Sequence, residues 1–162
     1  MIVPIDGTLV PREGQFERLL GNIGRQFIRR YADADLLDQI EAQVDLPLPL
    51  GRAAVVEMDA QPFRFAVLVS TLHHVDQLDH RAKVALARES FVDAVRVAAS
   101  AGLTRLATPV LQGGWRLTPT DAFAQMLAAA ATCSGPEVHV YAIEPFVHDQ
   151  LVTLARGVGF LH

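Results

Sequence analysis

The chain has 162 residues, 51% of them hydrophobic and 20% charged, with a net charge of −4. Such a mix folds as one domain with a full core and excludes a disordered chain. The acidic balance argues against a general nucleic-acid binder, which needs a basic face to release counterions, and no apolar run reaches membrane-spanning length. Cys133 is the one cysteine, so neither an intrachain disulfide nor a cysteine-rich zinc site is available. Pro4 and Asp6 interrupt the apolar start, which therefore does not read as a signal peptide; a cytoplasmic protein is expected. Thirteen arginines stand against one lysine, Lys83. Only Arg12 and Arg116 fall in loops where a guanidinium fork for phosphate has support.

The first predicted element is a short strand over 2–5, followed by a turn-rich loop through Asp6-Gly7-Thr8 and Pro11-Arg12-Glu13-Gly14. Residues Phe16, Leu19, Leu20, Ile23, Phe27 and Ile28 fall at helical spacing over 15–31. Gly21 and Gly24 weaken that helix or let it pack closely on a sheet. A polar helix over 33–43 is stopped by Leu46-Pro47-Leu48-Pro49. Strands over 53–58 and 65–70 are joined by a short loop holding Pro62, which suits an antiparallel pair or a mixed sheet. The second does not alternate and reads as covered on both faces. A long helix from about 79 to 101 buries Val84, Ala87, Phe91, Val95 and Ala98, and Gly102 stops it. Then come a strand over 105–108, a glycine loop, and a helix over 119–131 with Thr118 as N-cap and Pro119 at its first position. A strand over 137–143 and a helix over 146–156 complete the chain. Strands alternating with helices predict a single α/β domain over 1–162: a three-layer α/β/α sandwich with a mixed, largely parallel central sheet.

Gln112-Gly113-Gly114-Trp115-Arg116 is the most informative stretch. A buried strand, a diglycine loop and a helix start present main-chain N–H groups to an anion, and the absence of Cβ atoms lets a ligand approach the backbone. In that role Gly113 and Gly114 cradle a diphosphate, Trp115 packs on a sugar or base, and Arg116 neutralises phosphate. The structural alternative is a tight turn with a tryptophan at the core edge. Asp6, Gly7, Glu13 and Gly14 form a second candidate group. Two carboxylates at a phosphate cleft repel an anion unless they contact ribose hydroxyls, an adenine amine or a metal. Otherwise Asp6-Gly7 is a plain turn, and Glu13 complements a helix dipole. His73, His74, Asp76, Asp79 and His80 are of metal-ligating type, but adjacent histidines at a strand end point apart. They read as a solvated loop with Asp79 as helix cap, and no metal is assigned. Phe146 follows the last strand, where it stacks on a base or staples the final helix. Cys133 sits past a helix C-terminus, which disfavours a thiolate.

The order of these motifs resembles a macro domain, the ADP-ribose-binding fold, from Ile2 to Gly157. Leu48-Pro49-Leu50-Gly51-Arg52-Ala53-Ala54-Val55-Val56 is similar to that family's Leu-Pro-x-Gly-x-Ala-Val step. Val69-Ser70-Thr71-Leu72-His73-His74-Val75 resembles its strand leading to the long helix. Thr108 to Arg116 resembles its second, phosphate-gripping loop, and Val138 to Glu144 its last strand. The family's paired asparagines are replaced by Pro4-Ile5-Asp6-Gly7, its triple glycine by Glu13-Gly14-Gln15, and Met1 leaves no room for its preceding strand. The resemblance implies binding of ADP-ribose or a related nucleotide diphosphate, free or on an ADP-ribosylated protein, with no cofactor and without efficient catalysis. Two alternatives stand beside it. One is a degenerate scaffold acting through protein contacts or self-association at an unpaired sheet edge. The other is an ADP-ribosyl hydrolase using Asp6 or Glu13 as base.

Overall fold

The computed structural model describes residues 1–8, 16–31, 35–58, 62–71, 78–112, 117–142 and 144–160. Strand β1 (Ile2–Ile5) is followed by a 3₁₀ turn, Phe16–Leu19, and helices α1 (Asn22–Tyr31) and α2 (Asp35–Glu41). Strands β2 (Ala53–Glu57) and β3 (Phe65–Ser70) lead to helix α3 (His80–Ser100). Strand β4 (Arg105–Pro109), helix α4 (Pro119–Ala130), strand β5 (Glu137–Tyr141) and helix α5 (Pro145–Gly157) complete the chain.

β1 pairs in parallel with β3, β2 pairs antiparallel with β3, and β4 pairs in parallel with β5. β1 lies beside β4, so the spatial order is β2-β3-β1-β4-β5. One crossover helix, α3, returns the chain between β3 and β4, so β4 runs in the direction of β3 and β1. This is the mixed, largely parallel sheet expected from the sequence.

No ladder joins β1 to β4, and two prolines account for the seam. Val67 N–H bonds Met1 O and Thr71 N–H bonds Ile5 O, so alternate residues of β1 face β3 and Pro4 faces β4. Glu137 N–H bonds Thr104 O, so by the same alternation Pro109 faces β1. Each side of the seam thus lacks an N–H where a ladder needs one.

Two apolar layers sandwich the sheet. Ile2, Val67, Val69 and Leu106 pack with Ala87, Phe91, Ala94, Met126, Ala129 and Leu151 from α3, α4 and α5. On the opposite face Val3, Ile5, Ala66 and Leu68 pack with Leu19, Leu20, Ile40 and Val44. Residues 66–70 are all buried, in keeping with their non-alternating pattern. The core-facing residues of α3 are buried as the spacing predicts, except that Val84 is half-buried.

One element differs from expectation. The single helix over 15–31 is two pieces, broken at Leu20 and Gly21. Leu20 bridges to Ile5, and Asp6 N–H donates to Leu19 O at 2.7 Å, so the backbone there is held by the sheet and cannot stay helical. Gly24 still serves close packing: a Cβ there would lie 3.1 Å from Val3 Cγ1. The side chains of Phe16, Ile23, Phe27 and Ile28 lie outside the described residues.

A buried carboxylate fastens α3 to the sheet. Asp93 accepts from Ala53 N–H at 2.8 Å, from Arg96 Nη2 at 2.8 Å and Nε at 3.1 Å, and from Arg52 Nη1 at 3.4 Å. It is 6% exposed, whereas both arginines lie at the surface. Removing the carboxylate orphans a strand N–H, while removing one exposed arginine leaves other partners. Asp93→Ala is expected to lower stability by about 3 kcal/mol and Arg96→Ala by less than about 1 kcal/mol, read from urea unfolding midpoints. Equal losses would show that the arginines, not the strand N–H, make Asp93 matter.

The chain's α-amine also titrates with folding. Met1 N donates to Phe65 O at 2.7 Å, and burial lowers its pKa from 8.0 to about 6. Between these values the unfolded chain binds more protons than the folded one. Stability therefore rises with pH through this window and is lost again as pH falls to 6. For a chain beginning at Met1 with a free amine, the gain from pH 6 to pH 8 is about 2 kcal/mol. Thermal unfolding across that range checks it; Nα-acetylation should abolish the slope in that window.

Candidate functional site

The strand order reverses direction between β1 and β4, since the chain passes from β1 toward β3 and β2 on one side and to β5 on the other. In open α/β sheets ligands bind outside the carboxyl ends of the strands at such a switch point. Both leading candidate segments leave the sheet there, one from β1 and one from β4.

At the end of β1, Asp6 is 1% exposed and its Oδ1 accepts from Thr8 Oγ1 at 2.8 Å. Gly7 is buried as well, and its carbonyl accepts from Leu48 N–H at 2.6 Å. A Cβ on Gly7 would stand 2.7 Å from Ser70 Oγ and 2.8 Å from Leu48 O. The glycine at this position therefore has a packing cause in the neighbouring strand and loop. Glu13 and Gly14 lie outside the described residues.

At the end of β4, Val110 and Leu111 run on into the core, and Gln112 then closes the loop that follows. Its carbonyl accepts from Leu117 N–H at 3.1 Å, and its Nε2 donates to Leu117 O at 3.1 Å. Two hydrogen bonds thus join the residues on either side of 113–116. Leu111 and Leu117, 1% and 6% exposed, anchor both stems in the core. Gly113, Gly114, Trp115 and Arg116 themselves lie outside the described residues.

Helix α4 starts at Thr118, as its sequence predicts. Thr118 Oγ1 accepts from Asp121 N–H at 3.1 Å and donates to Asp121 Oδ2 at 2.8 Å. Pro119 has no N–H, and Ala122 N–H bonds Thr118 O. The first turn of α4 is largely occupied by its own cap and carries the Asp121 charge. The start of α4 therefore offers an anion few open donors.

Phe146 stands in the first turn of α5 and is 71% exposed, open to stacking. Asp79 caps α3, its Oδ1 accepting from Ala82 N–H at 2.7 Å, and His80 is exposed. His73, His74 and Asp76 lie outside the described residues. Among the described residues no cluster of three metal-ligating side chains occurs. Cys133 is half-buried just beyond α4, its N–H bonded to Ala129 O.

The structure adds polar groups that sequence reasoning passed over. Ser70 Oγ and Thr71 Oγ1 are buried at the end of β3, without a hydrogen-bond partner among the described residues. Thr71 N–H donates to Ile5 O, which sets these hydroxyls beside the Asp6-Gly7 turn. Their one sequence signal is two hydroxyl residues closing an apolar run.

By sequence, the chain matches no family model and no curated protein. By structure, it is similar to the Oceanobacillus iheyensis macrodomain with MES bound. The TM-score is 0.77 at 14% identity, over 97% of this chain and 82% of the other. A glycine-to-valine variant of that macrodomain, solved with ADPR, superposes with a TM-score of 0.74, at 14% identity over 97% of this chain and 85% of the other. The macrodomain of Mycobacterium tuberculosis DarG gives 0.62 at 18% identity, over 88% of each chain. An alphavirus chain, P23pro-zbd, gives 0.70 at 9% identity; this chain covers 21% of its length, with 97% of its own matched. These likenesses establish a macrodomain fold, and the resemblance read from the motifs is borne out at that level.

The geometry of Gly7 yields a measurable consequence. Gly7→Ala should lower stability by about 1–3 kcal/mol, because the new methyl meets backbone and a buried hydroxyl. The double variant with Ser70→Gly should recover part of the loss, since it removes two of the three nearest atoms. Urea denaturation of the three proteins reads both effects, and an unchanged midpoint for Gly7→Ala would remove the packing account.

Proposed function

We propose that this chain binds ADP-ribose or a related nucleotide diphosphate in the cleft at the carboxyl ends of β1 and β4. The observation that carries the proposal is the double hydrogen bond between Gln112 and Leu117. It pins the stems of a four-residue, diglycine-containing loop at the switch point of the sheet. A loop held in this way gives up little conformational entropy when a ligand organises its amides. The pyrophosphate falls to Gly113 and Gly114, with Arg116 for charge, Trp115 and Phe146 for stacking, and Gly14 at the ribose side. Support from outside the chain is the macrodomain likeness, including a neighbour solved with ADPR.

Binding is favoured over hydrolysis. A general base must be within reach of the proton it takes. Asp6 is nearly fully buried, with Oδ1 engaged by Thr8, and the family asparagines that would orient substrate and water are replaced here by Pro4-Ile5-Asp6-Gly7. The same reading extends to ADP-ribose carried on an ADP-ribosylated protein.

Isothermal calorimetry with ADP-ribose is the direct test. Heat of binding is expected at ligand concentrations on the order of a millimolar or below. Gly114→Val, which puts a branched side chain into the loop, is expected to abolish it while leaving the circular dichroism spectrum intact. Silence of the unaltered chain at that concentration would end the proposal. So would binding indifferent to the substitution.

A further inference from the structure

We propose that β5 is a self-pairing edge, at which two copies of this chain join their β5 strands antiparallel about a two-fold axis through His139. The inference rests on the two edges of the sheet and is independent of the ligand cleft.

The outer edges are treated differently. On β2, alternate residues turn their backbone outward, and side chains of the same chain occupy both ends. Ala53 N–H bonds Asp93 Oδ2 at 2.8 Å. Glu57 N–H bonds Gln43 Oε1 at 2.8 Å, and Gln43 Nε2 donates to Glu57 O at 2.8 Å, so the amide of Gln43 stands where another strand would. A protected edge of this sort blocks association.

On β5 no described residue plays that part. Glu137 N–H bonds Thr104 O, so Glu137, His139 and Tyr141 turn their backbone toward β4, while Val138 and Val140 present N–H and C=O to the outside. The strand has no lysine, no proline and no β-bulge within 137–141. Pro136 ends the donor row on one side. The sheet face formed by Glu137, His139 and Tyr141 is exposed, and Tyr141 is 62% exposed, among the largest apolar exposures of the described residues.

The occupant that fits is a second copy, because the strand Glu-Val-His-Val-Tyr is complementary to itself when reversed. With the axis at His139, Val138 of each copy faces Val140 of the other. Both positions are outward-turned, so the two pairs exchange four N–H···O=C bonds. Pro136 falls outside this ladder. Glu137 faces Tyr141 of the second copy, a carboxylate against a phenol donor. His139 faces His139 of the second copy, each flanked by its own Glu137 at 3.3 Å. No carboxylate faces another, so this register brings no acid-to-acid repulsion across the pair.

The test is light scattering after size exclusion, across micromolar to high micromolar concentration. The expected mass is twice the 17.6 kDa of the chain. Val140→Pro removes an outward donor but no donor to β4, and should weaken the dimer by about tenfold or more with its circular dichroism unchanged. Should that variant misfold, His139→Lys is the second probe, since it sets two ammonium groups face to face only in the dimer. The register is read by His139→Cys in a Cys133→Ser background. A non-hydrogen-bonded pair brings the two Cα atoms to about 4.5 Å, within disulfide range, so mild oxidation should crosslink it, and should not crosslink Glu137→Cys in the same background. A monomer at every concentration overturns the proposal. So does a dimer indifferent to the β5 substitutions, or one that crosslinks at Glu137 rather than at His139.

Discussion

The seam between β1 and β4 is the constraint from which the rest of the molecule is best understood. Pro4 and Pro109 each remove an N–H from facing edges, and the sheet divides there into a three-stranded and a two-stranded ladder. The division costs little cohesion, because the apolar layer shared with α3, α4 and α5 runs across it. Ile2 belongs to the same apolar cluster as Leu106 and Val110, so side chains hold β1 against β4 where backbone hydrogen bonds do not. A central strand of only four residues can do this because its residues serve both layers, Ile2 one and Val3 and Ile5 the other. The same seam lies at the topological switch point, where two strands leave the sheet toward different helices. The segments that carry both candidate groups leave the sheet at this divide, one from β1 and one from β4.

Much of this was legible in the residues. Every strand and helix has a counterpart in the hydrophobic spacing, and the caps at Thr118 and Asp79 lie where hydroxyl and carboxylate residues precede apolar periodicity. The break at Leu20 was not legible, because apolar spacing continues through it. What interrupts the helix is a backbone contact to β1 from residues distant in sequence, and periodicity carries no record of such contacts. Asp93 was missed for the same reason. It looks like one more charge on a long helix until its carboxylate meets Ala53 across 40 positions. The open edge at β5 was foreseeable only as a possibility, since which strand lies outermost is a property of topology.

The candidate site divides the same way. The sequence marks Asp6-Gly7 and the diglycine loop alike as glycine-containing turns after strands, and cannot tell a glycine needed by a ligand from one needed by a neighbour. Geometry separates them in one case. Gly7 packs on Ser70 and Leu48 so closely that this chain needs a glycine there, ligand or none. Gly7 therefore carries little information about function. In the proposed reading the functional weight passes to Gly113 and Gly114, beside which Gln112 uses both its backbone and its side chain to join the stems. A glutamine amide spent on closing a loop is a costly arrangement for a mere connection, since Leu117 N–H alone would suffice to make the turn.

That inference also decides what the helix beyond can contribute. Were α4 the anion site, its first-turn amides would be open and its first turn free of acid. Instead Thr118 occupies one amide, Pro119 supplies none, and Asp121 places a carboxylate at the positive end of the dipole. The cap stabilises the helix against fraying and at the same time withdraws it from ligand chemistry. A phosphate bound beside this helix start would meet the Asp121 carboxylate, and like charges repel. On the proposed reading, the loop amides of 113–116 and the Arg116 charge offset that acid. A ligand carrying its charge in the middle and hydroxyl groups at one end suits that proposal, because a hydroxyl can donate to the Asp121 carboxylate that a bare phosphate would have to avoid.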